Sequence, residues 1–158
     1  MALQGGHRFT VAMDEVFPYG VYAMGVEQAQ DYDEKTGRRS PSKDKQTGDL
    51  VWTVTVMDRD PEARTKEVKV KVLAPVQPVL PEEIAPGTGL HACRFEGLTI
   101  TPYIVDGPVG RRAKLGYSLR ATAVLPMGKA PAGSAPQQGS GRSGGQAPGG
   151  GSGDGKAA

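Results

Sequence analysis

The sequence has one cysteine and two histidines among 158 residues. A single cysteine excludes an intrachain disulfide and any multi-cysteine zinc site. Cys93 is compatible with a reducing cytoplasm, and its place in a strand-like stretch suits a small apolar packing residue. His7 lies in a loose N-terminal stretch and His91 opens a strand-like one. Neither sits in an HExxH pattern or at ligand spacing from a second donor, so no metal site is expected. No GxSxG elbow occurs, and no local nucleophile motif surrounds Cys93. Apolar runs fall short of the roughly 18 residues that a membrane helix needs. The first residues, Met1–Arg8, lack the apolar segment of a secretion signal. These absences lead to the expectation of a cytoplasmic, non-catalytic protein with no cofactor and no membrane contact.

Glycine and proline are plentiful, at 23 and 13 residues, but unevenly placed. Eleven of the glycines fall between Gly128 and Gly155, and Met127 is the one long apolar side chain from Pro126 onward. Such a segment buries too little apolar surface to offset an ordering cost of about 1–2 kcal/mol per residue. A folded domain is therefore expected over 1–125, with a disordered tail over 126–158. Residues 1–125 carry 16 basic and 16 acidic side chains. Lys129, Arg142 and Lys156 against Asp154 place the whole formal charge of +2 in the tail. A neutral body does not announce a nucleic-acid binder, so that function has to rest on local clustering.

Period-2 alternation dominates the domain. Val51–Met57 is β-branched or aromatic at all positions but the last, and Lys66–Val72 sets Val68, Val70 and Val72 opposite Glu67, Lys69 and Lys71. Asp58–Thr65 joins these two strands as a hairpin loop. Further strands are expected at Arg8–Met13, Gly20–Gln30, Cys93–Phe95, Leu98–Ile104 and Lys114–Val124. In the last, Leu115, Tyr117, Leu119, Ala121 and Ala123 share a face. Asp33–Asp49 reads as a long polar connector, Ala74–Gly89 as an extended proline-rich one, and Asp106–Arg112 as a hairpin tip. No window has convincing helical periodicity. Together these features predict an all-β fold: a small five- to six-stranded antiparallel barrel, OB-like, with a β-sandwich as the alternative.

Asp58, Asp60 and Glu62 crowd one loop, but their spacing is not that of an EF-hand and Arg59 and Arg64 lie among them. Gly87-Thr-Gly89 and Gly107-Pro-Val-Gly110 precede strands, whereas a phosphate-cradling loop precedes a helix. Basic clusters remain. Arg38, Arg39, Lys43 and Lys45 sit in the long polar connector, and Lys69 and Lys71 lie on the wet face of their strand. Arg111, Arg112 and Lys114 follow the hairpin tip, and no acid occurs from Gly107 to Gly153. Single-strand binders combine such a basic groove with aromatic platforms. Trp52 is the prime candidate ring, with Tyr32, Tyr103 and Tyr117 also available. The opposite reading is that Trp52, in step with Val54 and Val56, and Tyr117, in step with Leu115 and Leu119, are core.

Several phrases then stand together: Val16-Phe-Pro-Tyr-Gly-Val-Tyr22, Asp44-Lys-Gln-Thr-Gly-Asp-Leu-Val-Trp52, Val56-Met-Asp-Arg-Asp-Pro-Glu-Ala-Arg64, Phe95-Glu-Gly-Leu-Thr-Ile-Thr-Pro-Tyr103 and Leu115-Gly-Tyr-Ser-Leu-Arg-Ala-Thr122. In combination they resemble the actinobacterial plasmid replication, integration and excision activator (Pra-type) proteins over roughly residues 5–124. The hairpin followed by Phe-Glu-Gly also resembles small phage and plasmid single-strand-binding proteins with an OB barrel. The resemblance implies an accessory regulator of a mobile element that promotes replication and excision, with DNA as partner, single strands favoured. Replication or excision proteins and a second copy of the chain are further expected partners. A protein-interaction module that regulates without touching DNA is the alternative. The C-terminal Gly153-Asp-Gly-Lys-Ala-Ala158 departs from the acidic, aromatic-tipped peptide of bacterial single-strand binders, so docking of partners through the tail is not expected.

Overall fold

The computed structural model describes residues 3–128, in which the expected all-β architecture is present. Met1, Ala2 and residues 129–158 lie outside the described residues, and with them nearly all of the expected tail. The elements are β1 (Phe9–Thr10), α1 (Met13–Val16), β2 (Val21–Gln28), β3 (Gln30–Asp33), β4 (Arg38–Pro41), β5 (Val51–Asp58), β6 (Glu67–Leu73), β7 (His91–Glu96), β8 (Thr99–Val105), β9 (Lys114–Ala121) and β10 (Ala123–Pro126). Eight strands, rather than the five or six expected of an antiparallel barrel, form one curled, mostly antiparallel sheet in the order β1-β8-β9-β6-β5-β2-β7-β10, because short end strands and a kinked hairpin add to the count, and β3 and β4 form a separate hairpin. Among the described residues no helix is long and apolar enough to cross a membrane.

The curl follows from chain continuity. β7 and β8 lie far apart in the sheet order, yet only Gly97 and Leu98 separate them in sequence. β9 pairs with β8 and β10 pairs with β7, so β7–β8 and β9–β10 make one long hairpin kinked at Gly97 and Thr122. Gly97 takes φ +62°, and a Cβ there would stand 2.6 Å from Thr122 Oγ1. Thr122 donates its backbone N–H (2.9 Å) and its hydroxyl (3.1 Å) to the Glu96 carbonyl, which fixes the bend. β6 and β9 run parallel, Lys71 beside Arg120, while all other strand pairs are antiparallel.

The valine ladders point inward. Val54, Val56, Val70 and Val72 are fully buried and form one core with Val21, Ala23, Cys93, Phe95, Leu98, Leu119 and Ala121. Lys69 and Lys71 alternate outward on β6 as the period-2 pattern requires. Trp52 belongs to this core: it is 9% exposed, and its Nε1–H donates to the Ala74 carbonyl at 3.0 Å.

Three boundaries differ from expectation. The strand over Arg8–Met13 shrinks to Phe9–Thr10, because a one-turn helix follows in which the Glu15 carboxylate accepts the Ala12 N–H at 2.8 Å. The connector 33–49 contains most of the β3–β4 hairpin. Its turn is closed by Asp33, which accepts from Lys35 N–H (2.9 Å) and Thr36 hydroxyl (3.0 Å), and by the Gly37 N–H donating to the Asp33 carbonyl (2.8 Å). Those N–H and O–H donors hold the exposed Asp33 carboxyl below its ordinary pKa. Finally, Lys114–Val124 is two strands, and β10 extends to Pro126, past the expected domain boundary.

Candidate nucleic-acid interface

Four separate stretches of chain supply one basic cleft. Lys71 comes from the outer face of β6, Arg120 from β9, Lys43 and Lys45 from the segment after β4, and Arg8 from the residue before β1. These five cations line a cleft of about 390 Å³ that holds two carboxylates, Asp31 and Asp44. The parallel β6–β9 pairing sets Lys71 directly beside Arg120. A bridge between Lys43 and Leu50 holds the polar loop against the body.

Asp44 organises the cleft wall. Its carboxylate is buried, 6% exposed for the residue, and accepts both Arg8 guanidinium N–H groups, at 2.5 and 3.2 Å. It also accepts the backbone N–H groups of Gln46 (3.1 Å) and Thr47 (3.0 Å) and the Thr47 hydroxyl (3.3 Å). Arg120 Nε approaches to 3.9 Å. The Arg8 guanidinium, opposed by burial and helped by the two turn N–H groups, holds the Asp44 carboxyl down at about 2. Burial and the neighbouring Arg8 charge push Arg120 below its ordinary pKa, and Asp44 counters them. Among the described residues Lys43, Lys45 and Lys71 make no ion pair. Asp44 therefore neutralises part of the cleft while tethering the loop that carries two free ammonium groups.

The structure sorts the sequence candidates. Lys43, Lys45 and Lys71 meet in the cleft, and Lys69 stands two residues from Lys71 on the same face of β6. Arg38 and Arg39 are exposed on β4, where Arg39 pairs with Tyr32. Arg111, Arg112 and Lys114 lie instead at the tip of the β8–β9 hairpin, around a separate hollow of about 220 Å³. Trp52 is corrected: a ring buried in the core with its N–H bonded to a main-chain carbonyl cannot stack on a base. Tyr117, for which core was the alternative reading, is 57% exposed where β9 leaves the body. Arg8 was missed, and nothing local in the sequence distinguishes it. The Asp44-Lys-Gln-Thr-Gly48 phrase did carry a signal, because an Asp three residues before Thr and four before Gly is the pattern of a self-capped turn.

Residues set aside as non-catalytic have packing or turn contacts. Asp58 accepts the Asp60 N–H (3.0 Å) and Asp60 the Glu62 N–H (2.9 Å), so both carboxylates cap the β5–β6 loop. His91 Nδ1 meets the Pro81 carbonyl at 2.6 Å and, since a carbonyl only accepts, donates to it, pinning the connector between β6 and β7. Burial pushes the Cys93 thiol up to about 11. Comparison with known proteins gives no match to a protein family, a curated protein or a solved structure.

Proposed function

We propose that this chain is a non-catalytic DNA-binding accessory protein, single strands favoured, of the kind that activates replication and excision of a plasmid or integrated element. The observation that carries the DNA reading is the cleft in which Arg8, Lys43, Lys45, Lys71 and Arg120 converge against two carboxylates, one of them tied up by Arg8. On a body of neutral net charge, a cleft where Lys43, Lys45 and Lys71 stand together without ion pairs among the described residues attracts a phosphate backbone locally. Strand connectivity supports an OB-like barrel as the scaffold. β2, β5 and β6 form an antiparallel meander, β6 and β9 run parallel, and the kinked β7–β8 segment reaches from β9 back to β2. OB barrels bind oligonucleotides across such an outer face and its flanking loops. The mobile-element role rests on the resemblance of the five sequence phrases.

Fluorescence anisotropy with single-stranded and duplex oligonucleotides tests the reading. Binding to single strands is expected to weaken with salt at a log–log slope of about −0.7 per phosphate neutralised. Lys43→Ala combined with Lys71→Ala removes two such contacts and should flatten the slope by about 1.4. Absence of binding to both forms at low salt overturns the reading.

A second reading is favoured by one specific feature. Pro102, Ile104, Leu115 and Tyr117 form an exposed face on the β8–β9 hairpin, consistent with a module that regulates through a protein partner. A partner recovered with the chain after nuclease treatment supports it, and recovery only with DNA present opposes it.

A further inference from the structure

Beyond Thr101 and Ser118 the β8–β9 hairpin projects from the body as a two-stranded arm. β1 covers β8 only at Thr99 and Ile100, and β6 covers β9 only from Leu119 onward. The two faces of the arm differ. Directly opposed residues share a face, so Pro102, Ile104, Leu115 and Tyr117 continue the core-facing side. The other side continues the cleft. From Arg120 in the cleft wall, alternate residues of β9 run through Ser118 and Gly116 to Lys114, with Tyr103 opposite Gly116. Arg120 donates to the Ser118 hydroxyl at 3.2 Å, so the strip is continuous at its base. Six residue steps at about 3.3 Å make it about 20 Å long.

The Tyr103 ring packs over Gly116. A Cβ at Gly116 would stand 2.7 Å from Tyr103 Cζ and 2.9 Å from Cε2, while 49% of the tyrosine remains exposed. The missing side chain makes room for the ring on the outer face. Cations flank it at both ends, Arg120 at the base and Lys114 with Arg111 and Arg112 at the tip, and Asp106 is the one acid on the arm. A half-exposed aromatic ring between cations is complementary to a polyanion with unpaired bases.

We infer that the outer face of β9 extends the cleft into a single-strand track, in which Tyr103, seated on Gly116, is the base-stacking platform. The inference rests on the DNA reading and assigns its preference for single strands to one ring. A duplex offers phosphates to the cleft but no unstacked base to Tyr103.

The test is anisotropy at fixed salt with a mixed-sequence single strand and the matching duplex. Tyr103→Ala should weaken single-strand binding by about 5- to 150-fold, leaving duplex affinity and the salt slope unchanged. Tyr103→Phe should stay near wild type. Gly116→Ala, whose methyl displaces the ring, should reproduce the Tyr103→Ala loss. Tyr117→Ala on the opposite face should bind as wild type. Unchanged Trp52 emission certifies that each variant is folded. A wild-type chain that binds while Tyr103→Ala binds equally tightly overturns the inference alone. An equal loss on duplex and single strand also overturns it, and a wild-type chain that binds neither form overturns the DNA reading as well.

Discussion

Asp44 shows how one side chain serves both stability and the proposed site. It is the point at which the polar loop, the N-terminal stretch and β9 are joined. Asp44→Asn keeps the shape but loses the charge that Arg8 requires, and should cost about 2–3 kcal/mol in denaturant unfolding. The folded pKa, about 2, lies below the ordinary 3.8. The stabilisation is therefore complete above about pH 4 and is lost as pH falls from there through 2. The wild-type chain should lose stability over that interval in pH-dependent urea melts, and Asp44→Asn should lose about 2 kcal/mol less. Cys93 gives a complementary readout. With the thiol raised to about 11 and fully buried, the native protein should resist a disulfide reagent at pH 8, whereas the unfolded chain reacts at once. Trp52 should emit as a buried indole, resist acrylamide, and keep its emission when oligonucleotide is added.

At the scale of elements, the kink between β7 and β8 decides the shape. Gly97→Ala meets two penalties: a left-handed φ that costs about 1–2 kcal/mol, and a methyl pressed on Thr122. A loss of at least 2 kcal/mol is expected in urea melts. Adding Thr122→Ala should relieve the steric part and leave the φ part, so the double variant should recover only partially. Full recovery would mean that the backbone conformation at residue 97 costs nothing. The β3–β4 hairpin illustrates the opposite case. It has no apolar face, so alternation cannot reveal it, and Asp33 and Gly37 hold its turn by local hydrogen bonds. β9 was legible as a strand, but its apolar side chains part company. Leu119 and Ala121 are buried, while Leu115 and Tyr117 project with the arm.

At the scale of the molecule, one core carries all the main strands. Trp52 and Cys93 belong to the same buried cluster. Trp52 emission and Cys93 reactivity should therefore report one coincident, two-state transition in urea; separated midpoints would divide the sheet into independent parts. The sequence by itself determined the strands with a wet and a dry face, the β5–β6 hairpin, the extended connector before β7 and the neutral charge of the body. Each of these is local: burial on one side of a pleat writes itself as alternation, and turns write themselves as Asp, Gly and Pro. Only the tertiary structure decided which charges meet. Lys71 stands beside Arg120 because β6 and β9 pair in parallel across a long excursion of chain, and Arg8 meets Asp44 although 36 residues separate them in sequence. Tertiary packing also set the ring orientations, burying Trp52 and leaving Tyr103 on Gly116 in solvent. Alternation shows that a residue has two possible sides, but the body a strand packs against, and where it ends, decides which side is wet.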